Sequence, residues 1–245
     1  MKVDYDRVAP TYDERYRAGA PAGIDESLGR LIGGAERVLE VGCGTGHWLA
    51  QLASGGGFVC GLDRSRGMLD VARATGLPLV HGDGCALPFR AGSLDAVLCI
   101  NALHHFPSPP SFVGEAFRVL RSGGSIAVVG MDPSAGLDRW YLYDYFPGTL
   151  ETDRARYPSA LQIAGWMENV GFTGVERGIA TRIEGTFRGR DVFSDPILSR
   201  HGTSQLSLLG EEEFAAGMAR IEGAISAGDE GFVTDLSLAL VTANR

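Results

Sequence analysis

The fold is decided by one stretch of the sequence, Val38-Leu39-Glu40-Val41-Gly42-Cys43-Gly44-Thr45-Gly46. The apolar run predicts a buried strand from Arg37 to Val41, and apolar residues at helical spacing from Trp48 onward predict a helix. Glycines between them let the chain turn sharply and let its backbone approach a ligand closely. Because ligands bind at the carboxyl ends of such strands, the stretch predicts a strand–loop–helix ligand site.

The same alternation of strand and helix continues through the first half of the chain. Further strands are predicted at 58–62, 77–80, 93–100 and 125–130. Helices are predicted around Met68 and from Phe112 to Leu120, the second closed by Gly123-Gly124. This βαβ pattern predicts an α/β fold of the Rossmann-like, doubly wound type with a mostly parallel sheet.

The C-terminal half is less regular. A capping box at Ser159 to Gln162 predicts a helix that ends at Gly171, followed by a strand over 173–179. Residues 231–244 predict a final strand. We therefore interpret residues 1–245 as one domain with an N-terminal lid segment (1–30), a core (31–131) and two helical, substrate-side insertions (132–158 and 185–226).

Charge and composition restrict the partners of the protein. With 30 acidic and 22 basic residues, the formal net charge of −8 disfavours nucleic acid and favours a small-molecule substrate. No membrane span or secretory signal is visible, so we expect a cytoplasmic protein. Cys43, Cys60, Cys85 and Cys99 lack metal-ligand spacing, which predicts reduced core residues and no metal site.

Three acidic positions bear on which ligand the glycine loop binds. The dinucleotide fingerprint GxGxxG would place a glycine at position 47, where this chain has His47. Glu40 would repel a pyrophosphate but would favour a cationic ligand group. Asp63 ends the second strand, where it could accept both ribose hydroxyls or simply cap the next helix. Asp83 could meet an adenine amino group, although Asp-Gly is also an ordinary turn.

Four ordered motifs carry a resemblance to a known family: VLEVGCGTG (38–46), GLDRSRGML (61–69), GDGCALPFRAGSLDAVLCINALHHF (82–106) and EAFRVLRSGGSIAVVG (115–130). They resemble the class I S-adenosylmethionine-dependent methyltransferases, and more narrowly the type 11, ubiquinone-biosynthesis-like subgroup. The resemblance implies a seven-stranded sheet with an antiparallel last strand. It also implies S-adenosylmethionine as the cofactor and methyl donor.

The resemblance further implies a role for individual residues. Its cofactor-binding positions are Glu40, Gly42, Cys43 and Gly44 at the methionyl end, Asp63 and Arg64 at the ribose, Asp83, Gly84 and Cys85 at the adenine, and Asn101 near the sulfonium. The segment from Tyr5 to Asp13 resembles the part of the family that folds over the cofactor, which adds Tyr12. A capping box at Thr11 to Glu14 predicts that a lid helix starts there.

The methyl acceptor is harder to predict. The Asn/Asp-Pro-Pro-aromatic signature of amino-methyltransferases is absent after Asn101. His104 and His105 are the candidate catalytic bases, because imidazole titrates near neutrality, although proximity alone could suffice or the pair could be structural. Asp132 and the tyrosines Tyr141, Tyr143 and Tyr145 could line an acceptor pocket, although aromatic stripes are often core packing.

Two other classes of function remain open on the sequence alone. One is a nicotinamide oxidoreductase, which would prefer NAD to S-adenosylmethionine. The other is a non-catalytic S-adenosylmethionine-binding module, because a fold does not by itself specify a reaction. The sequence does not indicate the acceptor atom or the oligomeric state.

Overall fold

The computed structural model describes residues 3–16, 24, 28–29, 32–53, 56–228 and 231–245. The predicted lid segment therefore lies only partly within the described residues. Within the described part, one large sheet carries the fold. Its strands are β1 (Arg37–Val41), β2 (Phe58–Asp63), β3 (Leu79–His81), β4 (Leu94–Ile100), β5 (Leu120–Met131), β6 (Arg139–Trp140), β7 (Thr173–Arg188) and β8 (Gly231–Asn244).

Helices cover both faces of this sheet or lie beyond its edge. The α-helices are α1 (Tyr5–Val8), α2 (His47–Leu52), α3 (Arg66–Ala72), α4 (Pro109–Val119), α5 (Tyr141–Tyr145), α6 (Thr149–Arg156), α7 (Ala160–Val170), α8 (Ser204–Ser207) and α9 (Glu211–Ser226). Short 3₁₀ segments lie at Ala9–Tyr16, Arg73–Thr75, Leu103–His105, Pro133–Ala135, Gly189–Ser194 and Pro196–Leu198.

Strand order confirms the predicted fold class. β3, β2, β1, β4 and β5 are neighbours in that order and run parallel. β8 lies between β5 and β7 and is antiparallel to both. The described sheet has eight strands instead of the predicted seven, because the two-residue β6 also pairs with β8, beyond the point where β5 ends.

Local signals placed several elements correctly. All seven residues of β4 are buried, as expected for a central strand covered on both faces. Ser159 and Gln162 form the predicted reciprocal capping box at the start of α7. Gly171 ends that helix in the left-handed conformation, with φ of +105°.

The predicted end of the helix before β5 is wrong. α4 stops at Val119, Leu120 pairs with Leu94 in the sheet, and Gly123-Gly124 lies inside β5. The C-terminal residue explains this, because Gly123 N–H donates to the Arg245 carbonyl and Arg245 N–H donates to the Gly124 carbonyl. Such a long-range pairing overrides a local glycine stop signal.

Three other boundaries differ from the prediction. The third strand begins at Leu79 instead of 77, and β7 continues to Arg188, so residues 185–188 belong to the sheet. The N-terminal helix begins at Tyr5, where Asp4 caps it, and Thr11 lies inside the 3₁₀ segment that follows. The capping box at Thr11 fails because the Thr11 hydroxyl donates backward to the Val8 carbonyl.

The two insertions share an apolar cluster of their own. Trp140, Tyr141 and Phe146 from the first insertion pack with Ile221 of α9 and with Phe232 of β8. The clusters on the two faces of the sheet are separate from it. The insertions therefore form a packed layer that can hold side chains in fixed positions near the core.

Two glycines in α9 give opposite predictions for stability. A Cβ on Gly217 would lie 2.1 Å from the Phe146 ring, whereas a Cβ on Gly223 would meet nothing within 4 Å. We expect Gly217→Ala to lower the free energy of unfolding by about 1–3 kcal/mol through overpacking. Gly223→Ala, the matched control, should raise it by about 0.5–1 kcal/mol through helix propensity. Urea unfolding measures both, and equal effects would contradict this packing.

Candidate functional site

A cavity of about 510 Å³ lies at the carboxyl ends of β1, β2 and β4. Most of the residues that the sequence predicted for a ligand site line it. Those residues are Tyr12, Glu40, Gly42, Cys43, Gly44, Asp63, Arg64, Asp83, Gly84, Asn101, His104 and His105. Cys85, Asp132, Tyr141 and Tyr145 are not among the lining residues.

The glycine loop forms one wall of the cavity. Gly42 has a φ of +76°, and a Cβ there would lie 2.4 Å from the Ala102 Cβ. Gly44 also has a positive φ, and its N–H donates to Asp63 Oδ2 at 2.9 Å. Only glycine satisfies both the conformation and the close approach at position 42.

Asp63 links the loop after β1 to the loop after β2. Its second carboxylate oxygen accepts a hydrogen bond from Ser65 N–H at 2.8 Å. Burial raises the pKa of this carboxyl above its ordinary value, although the backbone N–H groups oppose that shift. With both oxygens held by backbone donors, the carboxylate has a fixed orientation at the cavity wall.

Glu40 is the unusual group of the site. Its side chain is 1% exposed, and its Oε2 has no hydrogen-bond partner among the described residues. Burial, and then the charge of Asp63, raise the pKa of the Glu40 carboxyl well above its ordinary value. A buried carboxyl without a partner is costly, and it lines a cavity in which a cationic or hydrogen-bond-donating ligand could complete it.

The turn after β3 forms the far end of the cavity. Asp83 is exposed, and its Oδ1 accepts from Cys85 N–H at 2.9 Å. A Cβ on Gly84 would lie 2.6 Å from the Phe106 ring, so the backbone is packed tightly there. The Cys85 thiol donates away from the cavity, to the Ser108 carbonyl at 3.3 Å.

Asn101 carries the strained backbone of the site. It follows β4 directly, and its φ of +50° is the one positive value outside glycine in the described part of the chain. Asparagine tolerates this left-handed conformation better than most residues. Its N–H donates to the Val129 carbonyl at 2.8 Å, which fixes the turn that leads to the two histidines.

His104 and His105 lie together on the 3₁₀ segment after β4. The Tyr5 hydroxyl and His105 Nε2 are 2.6 Å apart, and the His104 ring stacks on Tyr157 with 3.8 Å between centroids. Burial, with Arg156 nearby, lowers the pKa of His105 to about 3, and burial with the charge of His105 lowers that of His104 well below its ordinary value. Both rings are therefore neutral at pH 7.

The N-terminal segment covers the cavity and is anchored at several points. Asp6 Oδ1 accepts from Ser65 Oγ at 2.6 Å and from Gly67 N–H at 2.8 Å. The Thr45 hydroxyl donates to Asp13 at 2.5 Å. These contacts join the segment to both loops of the site.

Two further tyrosines of this segment line the cavity with Tyr12: Tyr5, which the sequence named only as the start of the covering segment, and Tyr16, which it did not name. Their spacing of seven and four residues would put all three on one face of an α-helix, which was a usable signal although Ala9–Tyr16 forms a 3₁₀ segment. Tyr16 stacks on His47 with 3.9 Å between ring centroids. His47, interpreted from the sequence only as a missing glycine, therefore belongs to the cavity wall.

The residues predicted to bind the acceptor lie elsewhere. Asp132 Oδ2 accepts from Ala160 N–H at 2.8 Å, at the start of α7. Tyr141 is buried, and its hydroxyl donates to Asp195 Oδ2 at 2.8 Å, while Tyr145 packs on Phe232. The aromatic stripe thus serves the insertion core, and an acceptor role for these residues stays a prediction that their placement does not support.

Arg156 of α6 is a lining residue that the sequence analysis did not single out. No local pattern marks it, because only the packing of the first insertion brings α6 to the cavity.

Within the described ranges, no helix is long and apolar enough to cross a membrane.

Comparison with known proteins gives relatives of one kind. A family model described as a methyltransferase domain matches residues 39–128. The chain is 30% identical to a demethylmenaquinone methyltransferase from Renibacterium salmoninarum over 203 residues, which cover 70% of this chain and 83% of the relative. It is 38% identical to the enzyme of that name from Corynebacterium kroppenstedtii over 93 residues, 38% of this chain but only 41% of that relative.

A solved structure from Anabaena variabilis, named as a methyltransferase of an antibiotic biosynthesis pathway, has the same fold. Its TM-score is 0.70 at 21% identity, and the match covers 92% of this chain and 98% of that one. The shared fold therefore extends well beyond residues 39–128, the part that the family model matches.

The depressed pKa of His105 makes stability depend on pH. Below about pH 6.5 the unfolded chain protonates this ring while the folded protein does not, so acid favours unfolding. From pH 7 to pH 5, the free energy of unfolding of the wild type should fall by about 1–2 kcal/mol more than that of His105→Gln. Urea unfolding across this range tests it, with His81→Gln, at an exposed position, as the matched control. Parallel curves for wild type and His105→Gln would contradict the shift.

Proposed function

Because this chain belongs to the class I S-adenosylmethionine-dependent methyltransferases of the type 11 subgroup, we propose that it transfers the methyl group of that cofactor to a small-molecule acceptor. The observation that carries the proposal is the buried carboxyl of Glu40, whose Oε2 has no partner among the described residues, beside the glycine loop. S-adenosylmethionine supplies two cationic groups, an ammonium and a sulfonium, and it brings an electrophilic methyl group on the sulfonium.

The cavity residues fit this cofactor. Glu40 would accept from its methionyl end, where the unpaired Oε2 needs a donor or a positive charge. Gly42, Cys43 and Gly44 would lie against the same end. Asp63 keeps lone pairs beyond its two backbone bonds and, with Arg64, would hold the ribose.

The remaining cofactor contacts belong to the turns after β3 and β4. Asp83 and Gly84 would bind the adenine, whereas Cys85 would act only by holding Asp83, because its N–H donates to that side chain and its thiol donates to Ser108. Asn101 would lie near the sulfonium. Tyr12 would close over the cofactor from the N-terminal segment.

The protein would act on the acceptor mainly by orienting its nucleophilic atom and less by removing a proton from it. Methyl transfer is an in-line displacement, so holding the nucleophile in line with the methyl group supplies much of the rate. His104 and His105 are neutral at pH 7 and weakly basic, because burial lowers the pKa of both. They would accept a hydrogen bond from the acceptor and would remove a proton only with difficulty.

A small-molecule acceptor is consistent with the net charge of the protein and with the names of its relatives. The net charge of −8 repels nucleic acid, and the Renibacterium and Corynebacterium relatives are named for a quinone substrate. The chain spans 41% of the Corynebacterium relative, so the substrate of that protein is only a guide. A nicotinamide cofactor fits less well, because Glu40 would face its pyrophosphate.

Glu40→Gln tests the proposal with two readouts of opposite sign. The free protein should gain about 1 kcal/mol in free energy of unfolding at pH 7.5, because a carboxyl no longer has to be buried without a partner. The affinity for S-adenosylmethionine should fall about tenfold or more, because a charged hydrogen bond is lost. Thermal unfolding and isothermal titration calorimetry measure the two effects.

Glu36→Gln is the matched control, because Glu36 is exposed just before β1. It should change neither readout. The wild type should also release S-adenosylhomocysteine from S-adenosylmethionine when small hydroxylated or carboxylated aromatic acceptors are supplied. Tighter binding of NAD than of S-adenosylmethionine would contradict the proposal, and so would tight cofactor binding without turnover on any acceptor.

A further inference from the structure

Arg156 reaches the cavity from the end of α6 and is only partly committed to its protein partners. Nε and Nη2 lie 2.9 and 2.8 Å from Asp153 Oδ1, and Nη2 also donates to Ser204 Oγ at 2.7 Å. Nη1 has no partner among the described residues, although the side chain is 15% exposed and lines the cavity. One nitrogen of a fixed guanidinium is therefore available to a ligand.

Asp153 explains why this arginine is fixed. It is fully buried, and its other oxygen, Oδ2, accepts from the Tyr143 hydroxyl and from Gln205 Nε2, each at 2.8 Å. Donors thus saturate the carboxylate from three elements, α5, α6 and α8. A buried ion pair of this kind adds little net stability but defines an orientation. The packing of the insertions around Asp153 therefore fixes the direction of the Arg156 side chain.

The cavity wall carries more acidic than basic side chains. Among the described lining residues the arginines are Arg64, which adjoins Asp63, and Arg156, near the histidines. The lining carboxylates belong to the N-terminal segment, to the ends of β1 and β2, and to the turn after β3: Asp4, Asp6, Glu40, Asp63 and Asp83. Arg156 is therefore the lining arginine near the histidines, and its own partner Asp153 is not among the lining residues.

Aromatic rings lie next to this cation. The Arg156 Cζ is 4.9 Å from the centroid of the Tyr157 ring, which lies outside the cavity lining, and the lining residue His104 stacks on Tyr157. His105 and Tyr5 continue the aromatic wall. A planar apolar body with an anionic oxygen at one end matches such a wall.

We infer that Arg156 binds an anionic oxygen of the methyl acceptor, of the carboxylate class, through Nη1, and that Asp153 is the residue that positions it. This inference rests on the proposed function, since it names the acceptor class of the same cavity. Arg156 selects against cationic acceptors by repulsion and against neutral ones by leaving its own charge partly unsatisfied. The first insertion thus determines acceptor specificity through the charge of Arg156. Tyr143 of α5 contributes indirectly, because its hydroxyl donates to Asp153.

The test compares benzoate with its neutral analogue benzamide on protein saturated with S-adenosylhomocysteine, by isothermal titration calorimetry. Wild type should bind benzoate at least about tenfold more tightly, as a hydrogen bond from a charged group predicts. In Arg156→Gln this ratio should fall to about one. Arg154→Gln, the matched control, removes the same charge from an exposed position on the same helix and should keep the wild-type ratio.

Arg156→Lys is a second variant that controls for a folding defect in Arg156→Gln. It keeps the positive charge but loses the planar guanidinium that contacts Asp153 through two nitrogens. It should give an intermediate ratio with unchanged affinity for S-adenosylhomocysteine. The inference is overturned if Arg156→Gln binds S-adenosylhomocysteine normally and keeps the preference for benzoate, or if wild type shows no preference or binds neither probe. Failure of wild type to bind S-adenosylhomocysteine would instead overturn the proposed function.

Discussion

The sharp turn between β1 and α2 is the constraint on which the rest of the site depends. The N–H groups of Gly42 and Cys43 both donate to the Leu62 carbonyl, at 2.7 and 3.1 Å, and Gly44 N–H donates to Asp63. This turn crosses so close to β2 that a Cβ on Gly61 would lie 2.7 Å from Cys43 Sγ. The ends of β1 and β2 are thereby joined, and a wall of bare backbone faces the cavity.

Other parts of the molecule are organised around that wall. The N-terminal segment reaches it through Asp13 and Thr45 and reaches the loop after β2 through Asp6. From the opposite side, the first insertion brings α6 and its Arg156 to the cavity. The core of the sheet builds the wall with the glycine loop, whereas the N-terminal segment and the first insertion add side chains to the same cavity.

Two buried carboxylates show how the same group serves different purposes. Asp153 is fully buried and has donors on both oxygens, so its charge is satisfied within the protein. Glu40 is almost as buried, but its Oε2 has no partner in the described structure. The first arrangement orients a neighbouring arginine, and the second leaves a buried oxygen unsatisfied at a cost in stability.

The sequence by itself determined the cofactor half, because the signals there are local: a strand, glycines, and an acid at the end of each strand. Glu40, Gly42 and Asp63 could be placed from spacing alone, and the cavity brings them together. The acceptor half was decided only by tertiary structure. Tyr141 turned inward to Asp195 because α5 packs against α9 and β8, whereas Arg156 reached the cavity because α6 packs against α5, α8 and the 3₁₀ segment Pro133–Ala135. Helical periodicity tells which residues share a face, but not which partner that face will meet.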